Sequence, residues 1–246
     1  MSIFGKKELA LAPFLIRPNL NRRNLIRYIL TKSTLVKLIF VKLILLFGFI
    51  STSTIAAEKS CSYSTYRWNT KIKKAVDVKQ IKQAYSSLKS YEIDQATGCT
   101  VCEEDQVTLS VGKIKPFKVC KVFAEDLRQQ LEKLISSGET INKVIGYRVG
   151  RTKGNVDSYG NRSQFSNHSF GIAIDINDEQ NGLYDRCTTF GSHCRLIKGG
   201  EWNPQNNGSL TANSPIVLSM KKLGFKWGGE IKGKQKDFMH FSPSGY

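Results

Sequence analysis

Ser166-Asn167-His168-Ser169-Phe170-Gly171-Ile172-Ala173-Ile174-Asp175-Ile176-Asn177 is the stretch on which the fold turns. It holds one of only three histidines in 246 residues. From Ile172 to Ile176 every residue is apolar or small except Asp175. Ile172, Ile174 and Ile176 share one face of a period-2 pattern, and Ala173 and Asp175 share the other. The pattern predicts a short buried strand entered from a loop that carries His168. A carboxylate in the middle of such a run is costly to bury unless it is paired or bound to a metal.

A second segment has the same form near the C-terminus: Lys236-Asp237-Phe238-Met239-His240-Phe241. One acid and one histidine beside a strand ordinarily make a hydrogen-bonded structural pair. Two such segments in a chain so poor in histidine favour a shared metal. His168, Asp175 and His240 as ligands, with Asp237 as a free acid, are the parts of a catalytic zinc site: three protein ligands, an open position for water, and a carboxylate base.

Taken together, His168-x-x-Gly171-x-Ala173-x-Asp175, Trp227-Gly228-Gly229 and Asp237-Phe238-Met239-His240-Phe241 resemble the zinc D-alanyl-D-alanine carboxypeptidase family. That family also contains L-alanyl-D-glutamate endopeptidases acting on bacterial cell-wall peptides. The resemblance spans about residues 141–246. It implies zinc on His168, Asp175 and His240, with Asp237 as general base. It also implies an arginine, following a glycine-tyrosine pair, that binds the oxygen developing charge on the scissile carbonyl. Gly146-Tyr147 is followed by two arginines, and neither spacing matches the family's. Arg151 is favoured because a loop residue reaches a metal more easily than a strand residue; Arg148 is the alternative. Ser166 matches the family's serine and is assigned to orienting the loop. Trp227 and its two glycines are expected as a strand and turn close to the site, on the substrate side.

Working outward, residues 152–164 are rich in Gly, Asn, Ser and Asp and read as a loop leading to the site. Residues 178–202 read as a polar excursion carrying His193, a surface histidine, and the closely spaced Cys187 and Cys194, a plausible loop staple. Residues 214–223 predict a helix ended by Gly224, residues 119–136 another ended by Gly138, and residues 106–111 and 140–145 strands. From 63 to 88, Ala75, Val78, Ile81, Tyr85 and Leu88 recur at three- and four-residue spacing among lysines, which predicts a solvated amphipathic helix.

All six cysteines lie after residue 57, and an even number in an exported chain reads as disulfides. Cys61, Cys99, Cys102 and Cys120 can pair in three ways, and Cys99-x-x-Cys102 with Cys120 could instead form part of a structural zinc site. Export itself is read from the N-terminus. Nine of the chain's 37 basic residues and one of its 20 acidic residues fall in residues 1–42, followed by an uncharged run from Leu43 to Ala57. That run is short for a spanning helix, which needs about 20 apolar residues. It suits a secretory signal ending in small residues, or an uncleaved membrane anchor.

The remaining residues carry 28 basic and 19 acidic side chains, a net charge of +9. With no nucleic-acid motif present, that excess points to an anionic envelope partner. The organisation expected is therefore a signal or anchor over 1–57, a Lys-rich helical lead-in over 58–98, and a zinc peptidase domain over 99–246. The fold class is α+β, a small and mainly antiparallel sheet bearing the site with helices on one side, of the type shared by these peptidases and Hedgehog signalling domains. The expected protein is a monomer of the periplasm or cell envelope that cleaves peptidoglycan peptides, carboxypeptidase type favoured and endopeptidase second. A non-enzymatic cell-wall binding module of the same fold is the competing class, and it has no use for the free acid Asp237.

Overall fold

The structure, a computed structural model, describes residues 58–245; the segment 1–57, read above as a signal or anchor, lies outside the described residues. In chain order the strands and helices are β1 (Ser60–Asn69), β2 (Lys74–Ala84), β3 (Gln106–Leu109), β4 (Phe117–Cys120), α1 (Lys121–Ser136), β5 (Val144–Ile145), β6 (Arg151–Val156), β7 (Arg162–Phe165), β8 (Ile174–Ile176), β9 (Leu183–Asp185), β10 (Arg195–Lys198), α2 (Pro215–Lys222), β11 (Lys226–Trp227), β12 (Gln235–Asp237) and β13 (His240–Ser242). They form an α+β fold of small sheets, ordered β2-β1-β6-β7, β11-β13-β8-β5, β10-β9-β12 and β3-β4. Every pairing is antiparallel except a single parallel contact of β1 with β6 at Arg67 and Arg151. No helix among the described residues is long and apolar enough to cross a membrane.

The decisive strand sits where its sequence demands. β8 lies inside its sheet, between β13 and β5, and all three of its residues are buried. Ile174 and Ile176 join Leu127, Leu131 and Leu134 of α1 and Ile216, Val217 and Met220 of α2 in the main core. Asp175, between them in sequence, projects to the opposite face. The helices follow their apolar stripes: α1 buries Ala124, Leu127, Leu131 and Leu134 at three- and four-residue spacing. α2 starts with Pro215 at its first position, where a missing N–H costs nothing.

Residues 63–88 are not a helix. They form most of a long antiparallel hairpin, β1 with β2. The helical spacing was accidental: a bulge opposite Thr65–Arg67 adds a residue to β2 between Val76 and Lys79, and Tyr85 and Leu88 lie beyond the strand's end at Ala84. Asp77 takes a left-handed φ of 53° at that bulge, and Val78 there is exposed. Nor is 58–98 a separate lead-in. The hairpin shares a sheet with β6 and β7, and the described residues 58–245 belong to one compact unit.

Residues 152–164, expected as a loop, pair as the β6–β7 hairpin. Asp157, Gly160 and Asn161 make the turn, where Asp157 Oδ1 accepts from the backbone N–H of Tyr159 and Asn161. Arg67 Nη2 of β1 donates to Asp157 Oδ2 at 2.5 Å, tying the two hairpins together.

All six cysteines are paired: Cys61–Cys102, Cys99–Cys120 and Cys187–Cys194. Cys99 and Cys102 thus belong to different disulfides, which removes the alternative of a zinc half-site there. Cys61–Cys102 fastens β1 to the segment before β3, and Cys99–Cys120 fastens that segment to the start of α1.

Candidate metal centre

His168 stands on a 3-10 turn, Asn167–Phe170, between β7 and β8. Gly171 caps that turn at φ 66°, a left-handed conformation, and a Cβ there would lie 2.5 Å from the Cys120 backbone nitrogen. The glycine of the His-x-x-Gly motif is thus required twice over, by φ and by space. The turn delivers the His168 ring to β8. Its Nδ1–H donates to the Gly146 carbonyl at 2.8 Å, which leaves Nε2 facing Asp175 Oδ1 at 3.0 Å.

His240 arrives across the sheet. It is the cross-strand partner of Asp175, and its Nδ1 lies 3.0 Å from the same Oδ1. The three side chains are buried, and their candidate ligand atoms all lie within 4.8 Å of one another, a group that could hold a metal ion.

The electrostatics test whether a cation fits. Burial keeps the His168 imidazole below its ordinary pKa despite the Asp175 charge. Burial opposes the Asp175 charge too, but the fields and hydrogen bonds of His168 and His240 outweigh it and hold the acid well below the usual carboxylate range. His168 Nε2 and His240 Nδ1 both face Asp175 Oδ1 at 3.0 Å, so a single cation would have all three as ligands. His240 Nε2 and Asp237 Oδ1 are also buried without a hydrogen-bond partner. Two imidazoles and a carboxylate are a donor set suited to zinc.

Asp237 lines the same cavity, of about 550 Å³, as His168, Asp175 and His240. Burial first, and then the Asp175 charge, push its pKa up to about 6, against the pull of His240, Lys198 and Arg148. Its orientation is set by the next residue. Phe238 stacks on Trp202 with centroids 4.1 Å apart and meets Tyr184, Phe190 and Trp227 in the core. With Phe238 anchored there, Asp237 turns the other way. The Cys187–Cys194 bridge closes the loop that carries Phe190 into this cluster.

The two arginines separate. Arg148 lines the cavity, and its Nη2 donates to Asp175 Oδ2 at 3.1 Å. Arg151, favoured from sequence, is elsewhere. Its guanidinium packs over the Tyr91 and Phe165 rings, 5.1 and 4.4 Å from their centroids, and Nη1 donates to the Ser163 carbonyl. Residue 151 begins β6 rather than standing in a loop, so the premise that it could reach inward fails. Trp227 does not line the cavity either; it is buried, and its Nε1–H donates to the Phe238 carbonyl at 2.7 Å. Ser166 does line the cavity, at the start of the His168 turn. His193 stays in its loop beside Cys194.

Sequence reasoning missed Tyr66 and Trp68 of β1 and Lys153 of β6, which line the cavity as well. The signal available was the alternation within Tyr63–Trp68, obscured by the reading of a helix.

Two buried histidines and a carboxylate converge on one point, with a second carboxylate alongside: a candidate metal centre in an α+β domain. The comparison with known families is more particular. Residues 160–243 match the family model described as D-alanyl-D-alanine carboxypeptidase, which bears out the resemblance carried by the motifs. The matched segment holds all three candidate ligands and Asp237, and excludes both arginines and the β1–β2 hairpin. No solved structure matches the chain.

Proposed function

We propose that this protein is an exported zinc metallopeptidase that hydrolyses peptide bonds in peptidoglycan stem peptides, in the manner of a D-alanyl-D-alanine carboxypeptidase. The observation that carries this is the convergence of His168 Nε2, His240 Nδ1 and Asp175 Oδ1 in a cavity that also holds the buried Oδ1 of Asp237. A binding module would gain nothing from keeping that desolvated acid beside the centre. The family match over 160–243 supports the substrate class. Three disulfides support an oxidising compartment. Attachment through the segment 1–57, as signal or anchor, belongs to the same proposal.

Zinc, when bound, would polarise the scissile carbonyl and acidify the attacking water. His168, Asp175 and His240 are the residues that would hold it, with the Gly146 carbonyl fixing the His168 tautomer from behind. Asp237 accepts the water proton at Oδ1 as the oxygen attacks the carbonyl carbon. The same carboxyl then returns the proton to the amine nitrogen as the C–N bond breaks. We assign to Arg148, which lines the cavity, the donation to the carbonyl oxygen as its charge grows; Arg151 has no part in this proposal.

Purified muropeptides incubated with the protein and weighed by mass spectrometry test the proposal. Loss of one terminal alanine from pentapeptide stems is the expected product. Cleavage behind the first alanine would make it an endopeptidase of the same family, and unchanged masses with zinc present would contradict the peptidase function.

A further inference from the structure

The β1–β2 hairpin lies outside the matched segment, yet it forms one wall of the cavity. Tyr66 and Trp68 alternate toward it from β1, and Lys153 faces it from the neighbouring β6. The wall is built in rather than laid on. Cys61–Cys102 ties the base of the hairpin to the domain, and Asn69 Nδ2 donates to Asn161 Oδ1 at 2.8 Å near its far end. The Tyr66 ring rests on the Gly150 backbone, two residues past Arg148: a Cβ at position 150 would lie 2.6 to 2.9 Å from the outer atoms of that ring. Trp68 is 36% exposed, and it is the one tryptophan of three that lines the cavity. Its indole therefore offers a large face to whatever enters, at little cost in side-chain freedom.

Charge indicates what that is. The carboxylates of the cavity are those of Asp175 and Asp237, which the centre itself uses. Lys153 and Lys198 add two ammonium groups to the lining, and the residues after 42 carry a net charge of +9. An aromatic wall flanked by ammonium groups complements a peptide bearing a carboxylate away from the scissile bond.

We infer that the β1–β2 hairpin is a specificity element: an acidic peptide lies against Tyr66 and Trp68, and a carboxylate of that peptide engages Lys153. The substrate class rests on the peptidase function proposed above; the hairpin's part in recognising it is new. Two synthetic stem pentapeptides provide the test, one with a free α-carboxylate on its glutamate and one amidated there. Each is titrated calorimetrically into full-length, zinc-loaded Asp237→Asn protein, so that binding is read without turnover. The free acid should bind about tenfold more tightly, a difference of about 1.4 kcal/mol. Lys153→Gln should abolish that preference, and Trp68→Ala should weaken both peptides about tenfold while zinc content stays the same. Trp68→Leu, milder for the strand, should show the same loss with an unchanged melting temperature. Equal affinity for the two peptides, or Trp68 variants with unaltered Kd, would overturn the inference. If the wild type cleaves the pentapeptides but the substitutions change nothing, the hairpin inference alone falls. If the peptides are neither bound nor cleaved, it falls together with the peptidase proposal.

Discussion

His240 and Asp175 are cross-strand partners on β13 and β8, and their side chains meet with His240 Nδ1 3.0 Å from Asp175 Oδ1. This pairing brings residues 65 positions apart to one point through backbone register alone, before any metal is considered. His168 completes the group from a turn rather than a strand, and its ring is held by the Gly146 carbonyl at 2.8 Å. The site is thus a product of sheet register on one side and of a glycine-capped turn on the other.

The two arginines make opposite predictions. Arg148→Lys keeps a positive charge but gives up the forked donor that reaches Asp175. It should lower kcat by a factor of about 10² to 10³ with zinc retained. Arg151→Gln removes a ring-stacked guanidinium outside the cavity and should leave kcat within about a factor of three. Steady-state kinetics on both variants, with metal analysis of each, distinguishes the two; the reverse ranking would return the role to Arg151.

Asp237 predicts a pH signature in the metal-free protein. Its pKa is raised from 3.8 to about 6 by burial and by Asp175. Between those values the folded state holds the extra proton, so the group's contribution to stability falls as pH rises from about 4 to 6 and stays lost above that. Asp237→Asn carries no such penalty. Chelator-treated Asp237→Asn should therefore melt higher than chelator-treated wild type at pH 7.5, with the gap closing below pH 4. Parallel melting curves across that range would refute the assignment of a desolvated acid.

The Cys187–Cys194 bridge should matter to the site through Phe190 and Phe238 rather than by direct contact. Replacing both cysteines by serine should cost about 2–3 kcal/mol of stability by the loop-entropy estimate. It should also lower turnover, because the aromatic cluster that aims Asp237 loses Phe190. Denaturant unfolding and kcat measured on the same double variant check this; lost stability with unchanged kcat would confine the bridge to a structural role.

Gly150→Ala adds one methyl against the Tyr66 ring and should push that ring off its seat. Its expected signature is a raised KM with bound zinc unchanged, relieved when Tyr66→Ala is added. Steady-state KM for the single and double variants measures it, and a KM equal to that of the wild type in Gly150→Ala would show that Tyr66 does not shape the cleft.

What could be read in advance followed from locality. His168, Gly171 and Asp175 lie within eight residues, and Asp237 and His240 within four, so their chemistry was visible as motifs. Both helices showed in apolar stripes because each buries one face in the main core that Ile174 and Ile176 share. The β1–β2 hairpin was hidden because a bulge offset Ala75 from Val78 by three and because Tyr85 and Leu88, beyond the end of β2, extended the apparent helical spacing. The β6–β7 hairpin was hidden because its strands are half-exposed and polar, so no alternation marked them. Arg148 was passed over for Arg151 because its value depends on where β6 begins, which local spacing does not fix. The pairing of four cysteines depends on the same tertiary placement of the hairpin.

The central claim is that His168, Asp175 and His240 hold zinc while Asp237 moves the proton. Zinc content and pentapeptide cleavage, measured on the same samples of Asp237→Asn and His240→Ala, test it most directly. Asp237→Asn should keep one zinc per chain and lose turnover by a factor of about 10² to 10⁴, the contribution of a general base. His240→Ala should lose metal and activity together. An active Asp237→Asn protein with normal zinc, or a His240→Ala protein with full zinc occupancy, would contradict the assignment.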